Sequence, residues 1–422
     1  MELDQRVMGR RVLIASCVAI FWPGGFIFSL PGLLGPHWQQ TFLVGKGAVG
    51  QTLFFVLAAV GLFMFLAGRW QEKIGPAWLM AIGAILCGAS TMALRYGSSI
   101  NHIYVWSFLI GVSSACIYIP ALTAAQQWYP HKRGLVSGLV NFVFAFSAAL
   151  ISPIFVQLLN YLTYNEIAFV LGLMALVCGL AAAPFIRFPE AEASITRDTP
   201  QTTEFSDRGL TVPQTLRTLA FWFLWMTWAL AGAAGIAMIP LSTSFGLARG
   251  LSINQAVLIL TAFNLANGLS RPASGYLSDI IGRNITMSLA FLAGGCAYFL
   301  MPFLNGLAGW CLLAAVIGYG FGTLFAVSAP LASDCFGLAH FGAILGLVFT
   351  GYGFVAGPLG PWLSGLVLDS TDGNFALVFG YLGSFYVVSA IAIWFTRPPG
   401  KISLSPDHKK GETHFAKRTF MD

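Results

Sequence analysis

The chain has 422 residues, 57% of them hydrophobic and only 9% charged, with a mean hydropathy of +0.76 and a formal net charge of +6. Soluble globular domains carry about 25% charged residues, so this composition excludes a soluble protein and predicts a chain embedded in lipid. Seven scattered cysteines (Cys17, Cys87, Cys116, Cys178, Cys296, Cys311, Cys335), odd in number and never at metal-ligand spacing, argue against disulfides and metal sites.

Apolar runs of about 18 residues or more are candidate membrane helices. Twelve follow one another, at roughly 12–34, 47–69, 77–95, 102–127, 134–160, 165–186, 219–246, 252–277, 285–304, 307–333, 341–368 and 374–396. The first is too long for a signal-peptide core and lacks a small-residue cleavage site, so it reads as a retained helix. The one long interruption, Arg187 to Thr218, is polar and holds five acids and four arginines. The predicted organisation is an N-terminal six-helix bundle over 1–186, a cytoplasmic central loop over 187–218, a C-terminal six-helix bundle over 219–396 and a basic cytoplasmic tail over 397–422. The expected fold class is an all-α membrane protein, with twelve transmembrane helices in two pseudo-symmetric six-helix bundles.

Charge placement gives the orientation. With both ends and the central loop in the cytoplasm, 18 of the 22 Lys and Arg residues fall on that side. Lys46, Arg95 and Arg249 fall outside, and Arg271 lies in the membrane. This satisfies the positive-inside rule and predicts a multi-pass protein of the inner cell membrane. It also accounts for the net charge without nucleic acid. The basic tail reads as solvated, or as facing anionic lipid.

Arg271 interrupts an otherwise uncharged apolar stretch, Val257 to Leu277. A charge near the middle of a membrane helix costs about 2.5–3.5 kcal/mol on insertion scales. None of the 16 acids sits deep in an apolar segment to pair with it; Glu166 and Asp334 are at helix ends. An anion that comes and goes is the simplest partner. The alternative is structural, with Arg271 bonded to carbonyls that Pro272 frees from the helix ladder.

The halves also repeat. Gly68-Arg69-Trp70-Gln71-Glu72-Lys73-Ile74-Gly75 follows the second run, and Gly275-Tyr276-Leu277-Ser278-Asp279-Ile280-Ile281-Gly282-Arg283 follows the eighth. The offset of 207 residues recurs between Ile110-Gly111 and Ile317-Gly318. Two parallel six-helix halves with a site between them at the midplane are a transporter architecture.

These paired loops resemble the loop motif of the major facilitator superfamily, whose acid (Glu72, Asp279) and base (Arg283) latch one conformation. Trp128-Tyr129-Pro130-His131-Lys132-Arg133-Gly134-Leu135-Val136-Ser137-Gly138 is more discriminating. It resembles the loop between helices 4 and 5 of the oxalate/formate antiporter and monocarboxylate porter families, in which Arg133 belongs to the motif. Ser333-Asp334-Cys335-Phe336-Gly337 and Gly24-Gly25-Phe26-Ile27-Phe28-Ser29 resemble the same group. The likeness runs from the first helix to the twelfth and implies the major facilitator fold in a bacterial monocarboxylate transporter homologue.

The resemblance also implies a site. Asn267-Gly268-Leu269-Ser270-Arg271-Pro272 matches the segment that carries the substrate-binding arginine. Tyr118 matches a substrate-reaching tyrosine of helix 4. Phe321 and Phe325, four apart on one helix face, match aromatic cage positions, with plain packing as their alternative. Tyr352 stands where the oxalate/formate antiporters have a second cation. A dianion needs compensation for both charges in a low-dielectric site, and only one guanidinium is available here. One cation facing Tyr352, Phe321, Phe325 and Phe28 suits a monocarboxylate such as lactate or pyruvate, with Asn267 orienting the guanidinium or meeting a 2-oxygen. Asn264 reads as interhelical glue, and Asn141 as packing.

The expected function is secondary active transport of a small organic monocarboxylate anion with proton symport, by a monomer that works by alternating access. No cofactor and no enzyme activity are expected, since no buried acid–base pair or nucleophile constellation is present. An oxalate/formate-type exchanger is one alternative. A non-transporting carboxylate sensor is another, and its expected signalling domain does not fit within the tail. His37 and His340 read as surface or packing residues rather than a proton relay.

Overall fold

The computed structural model describes residues 2–129, 133–189, 210–337 and 341–398, apart from the side chains of 2–6, 65, 72, 133–135 and 341–343. Among the described residues every regular element is helical. The first half comprises α1 (Glu2–Phe42), α2 (Lys46–Ile74), α3 (Pro76–Ala93), α4 (Ile100–Trp128), α5 (Arg133–Leu158) and α6 (Tyr164–Ala182). A short α7 (Val212–Leu216) precedes the second half, which opens with α8 (Leu219–Ala248), α9 (Ile253–Ile281), α10 (Arg283–Leu300) and α11 (Leu307–Phe336). The penultimate span is composite: α12 (Phe341–Thr350), two π-helical segments (Gly351–Ala356 and Pro358–Trp362), then α13 (Leu363–Ser370). Helix α14 (Phe375–Phe395) is last.

Ten helical stretches among the described residues are long and apolar enough to cross a membrane. Helices α9 and α10 complete the twelve spans without meeting that measure, and their sequences show why. In α9, Asn264, Asn267, Arg271, Ser274 and Ser278 recur at alternating intervals of three and four, and all five are buried. That spacing gathers them on one helix face. Leu258, Leu265, Leu269 and Leu277 are exposed, on the side available to lipid. Helix α9 thus keeps its polar stripe inside the protein. Helix α10 opens on Arg283 and Asn284, and the Asn284 Nδ2 donates to the carbonyls of Ile393 and Thr396 at 2.6 Å each, anchoring it to α14.

Within the first half α1 packs on α4 and α5, α2 on α4, and α3 on α6. Within the second, α9 packs on α11, α10 on α11 and α14, and α8 on α14. Small residues permit these approaches, as is usual between membrane helices. A side chain at Gly24 would collide with the Phe144 carbonyl, so the Gly24-Gly25 pair is what lets α1 lie on α5.

The halves meet along α5 with α9, α2 with the composite span, and α1 with α8. Successive spans reverse direction, so the links at 43–45 and 371–374 lie on the same face, away from the N-terminus. On this far face the Asp369 carboxylate of α13 accepts the N–H groups of Lys46 and Gly47, each at 2.8 Å. These N–H groups open α2, so an acid from the second half caps a helix of the first. Deeper in, the Asn264 Nδ2 of α9 donates to the Phe28 carbonyl of α1 at 3.0 Å.

Candidate substrate site

Arg271 lies within α9 and is only 4% exposed. Its surroundings come from both halves. The Nη1 donates to Asn141 Oδ1 of α5 at 3.2 Å. The guanidinium carbon sits 4.6 Å from the Phe325 ring centroid on α11, a cation–π contact. Nε and Nη2 find no hydrogen-bond partner among the described residues. These two nitrogens share one edge of the planar group, the edge that presents two parallel N–H groups to a carboxylate.

Energetics make this arrangement one-sided. A desolvated cation–π contact contributes about 2 kcal/mol. Each buried donor left unmade costs about 1–3 kcal/mol, and more when it is charged. One neutral acceptor and one ring therefore leave the guanidinium undercompensated. The recorded bond runs to a side chain of the other half and not to a carbonyl freed by Pro272.

Tyr118, on α4, donates its hydroxyl to the same Asn141 Oδ1 at 2.7 Å. The hydroxyl of Tyr118 and the guanidinium of Arg271 thus converge on one oxygen from opposite halves. An aromatic wall continues from there. Tyr118 meets Phe144 (5.7 Å between centroids), Phe144 meets Phe28 (5.5 Å), and Phe28 meets Phe321 across the interface (6.2 Å). Phe321 meets Phe325 (5.3 Å), and Phe325 meets Tyr352 (5.6 Å). Trp228 of α8 closes the row, 5.0 Å from Phe325 and 5.5 Å from Tyr352. Tyr352 lies in the first π-helical segment, a feature common at functional sites because it re-aims side chains.

Arg271, Tyr118, Phe28, Phe321, Phe325 and Tyr352 are therefore brought together. Asn267 lies one turn before Arg271 on the same buried face of α9. Its Oδ1 would lie 3.0 Å from a Cβ added at Gly322, which places the carboxamide in the α9–α11 seam. Both of its polar atoms lack partners among the described residues. Two residues of this cluster were not singled out from the sequence, Phe144 and Trp228. Asn141, read from the sequence as packing, is instead the hydrogen-bonding centre of the site. The signal for it was a carboxamide two turns into an apolar run.

Of the motif residues, Asp279 pairs with Arg283, whose Nη1 also donates to Ser278 Oγ at 2.6 Å. The Arg283 Nε stands 3.6 Å from Asp334 Oδ2 on α11. This cluster ties α9, α10 and α11 together on the face that carries the N-terminus. The side chains of Glu72 and Arg133, the residue His340, most of the central loop and the basic tail lie outside the described residues.

Two helical halves, with a buried cation and an aromatic row at their junction, define a membrane transporter rather than an enzyme. The chain belongs to the Major Facilitator Superfamily, whose family model matches residues 12–258 and 224–421. It is 25% identical over 349 residues to the oxalate:formate antiporter of Oxalobacter formigenes, covering 81% of this chain and 82% of that one. It is 23% identical over 403 residues to monocarboxylate transporter 2 of Meriones unguiculatus, covering 90% and 82%. A bacterial homologue of the human lysosomal transporter Spinster, solved in an inward-facing and unoccupied conformation, shares the fold. Its TM-score is 0.67 at 12% identity, over 93% of this chain and 94% of that one.

Proposed function

We propose that this transporter carries small monocarboxylates of the lactate, pyruvate or formate type across the inner cell membrane. The unpartnered Nε–Nη2 edge of Arg271 carries this reading. It offers one bidentate carboxylate seat, and Arg271 is the only charged side chain buried among the described residues. The far end of a bound acid then meets Phe321, Phe325 and Tyr352, which offer apolar surface and one hydroxyl but no second cation. A dicarboxylate would bring a second charge to that end uncompensated. Relatives named for oxalate, formate and monocarboxylate transport support a small carboxylate as the cargo.

Proton symport is the proposed energy source. No Asp or Glu is buried among the described residues, so a relay of buried carboxylates does not fit. The proton travels with the substrate instead. Both termini and the central loop face the cytoplasm in this reading, following the Lys and Arg distribution.

Counterflow in proteoliposomes tests the substrate class. Labelled L-lactate is challenged with a panel of mono- and dicarboxylates. Competition by pyruvate and formate but not by oxalate or malonate is expected; competition by oxalate as strong as by formate overturns the single-carboxylate reading. The rival is obligatory exchange, suggested by the antiporter relative. Uptake driven by a pH gradient into empty vesicles excludes it.

A further inference from the structure

The guanidinium of Arg271 and the hydroxyl of Tyr118 share an acceptor that the substrate reading does not use. Asn141 Oδ1 receives both, at 3.2 and 2.7 Å. Its orientation is determined by a third bond, because Asn141 Nδ2 donates to the Ser137 carbonyl of its own helix at 2.9 Å. A flipped amide would set its NH2 against the guanidinium and its oxygen against a carbonyl, losing both of those bonds. The Ser137 side chain is held in turn by Gln126 Nε2 at 2.7 Å. A rigid carboxamide oxygen therefore faces the cation from the opposite half.

Resting on the reading of Arg271 as substrate anchor, we infer that Asn141 is a positioning residue, a neutral acceptor that holds the guanidinium by Nη1 and leaves its Nε–Nη2 edge for the substrate carboxylate. Its oxygen has the same acceptor chemistry as a carboxylate oxygen, without the charge. In the empty carrier it holds Arg271 and Tyr118 in place across the interface. A carboxylate arriving at the free Nε–Nη2 edge supplies the charge that Asn141 lacks, and charge-assisted bonds are about twice as strong as neutral ones. The Nη1 donor stays with Asn141 while the substrate occupies the other edge. The neutrality of Asn141 is essential, since a charged group there would compete with the cargo at the effective concentration of a tethered ligand, millimolar or above.

A merely structural role and a neutral positioning role predict opposite orders for two variants. If Asn141 only glues helices, Asn141→Asp keeps the acceptor and is mild, whereas Asn141→Ala is damaging. If Asn141 serves as a neutral positioning acceptor, Asn141→Asp places a permanent carboxylate on Arg271 and is the more damaging, while Asn141→Ala only loosens the guanidinium. Counterflow is measured with labelled L-lactate and labelled formate, alongside Arg271→Gln. The expected result is a KM raised at least about tenfold in Asn141→Asp and by a clearly smaller factor in Asn141→Ala. A KM raised as much or more in Asn141→Ala overturns the inference, as does loss of its monodisperse folded form. If Arg271→Gln is inactive in the same assay, that failure belongs to Asn141 alone. If Arg271→Gln transports normally, or the parent carries neither probe, the substrate reading fails and this inference falls with it.

Discussion

Arg271 of α9 and Asn141 of α5 meet across the interface between the two halves, 3.2 Å apart, with Tyr118 of α4 bonded to the same carboxamide oxygen. A carboxylate seated on the guanidinium, as proposed, would act on both halves at once. Such a contact would couple binding to rearrangement in a two-half carrier, because a ligand shifts a conformational equilibrium only through interactions that differ between states.

Tyr118→Phe removes one hydroxyl and leaves the ring packing on Phe144 intact. A hydrogen bond of this kind contributes about 0.5–1.5 kcal/mol. The expected outcome is a KM raised about two- to tenfold with little change in maximal rate per folded protein. Initial-rate counterflow over a range of substrate concentrations measures it, and an unchanged KM would remove Tyr118 from the site.

Tyr352→Lys tests the idea that charge count sets substrate class. Tyr352 is 5% exposed and borders Phe321, Phe325 and Trp228, so a lysine there is buried and lacks a partner unless the ligand brings one. Oxalate supplies that second carboxylate. The ratio of oxalate to formate counterflow should rise by about tenfold, the equivalent of 1.4 kcal/mol of discrimination. A ratio that does not move would mean that the second carboxylate does not reach α12 or its π-helical continuation.

Asp369→Asn keeps the shape of the far-face contact and removes its charge. A carboxylate at a helix N-terminus contributes about 0.3–1 kcal/mol, and up to about 2 when partly buried. Amide hydrogen exchange at Lys46 and Gly47 should accelerate, while exchange in the middle of α4 stays at the parent rate. Equal protection in the two proteins would show that this acid does not hold the halves together.

Much of the fold was legible because it rests on two strong signals. Long apolar runs mark the spans, and the 207-residue repeat marks the halves. The composition of α9 was harder to interpret, since its polar stripe lowers its hydropathy while burying every polar member. For the site, Arg271 was visible as an isolated charge, and the aromatic positions came with the family likeness. Asn141 and Trp228 were not, and the reason is geometric. Asn141 matters because α5 lies against α9, and no local pattern in α5 encodes what faces it. Asn267 is a parallel case, since its place one turn from Arg271 is legible in the sequence, whereas the contact of its carboxamide with the α9–α11 seam beside Gly322 depends on how the two helices pack.

The proposed seat of the substrate carboxylate is the Nε–Nη2 edge of Arg271. Saturable counterflow of labelled L-lactate and formate by Arg271→Gln, reconstituted as folded monodisperse protein, tests it most directly. Saturable uptake of both should disappear while thermal stability is kept or increased, since an undercompensated buried charge has been removed. Uptake by Arg271→Gln with the parent's KM and maximal rate would contradict it.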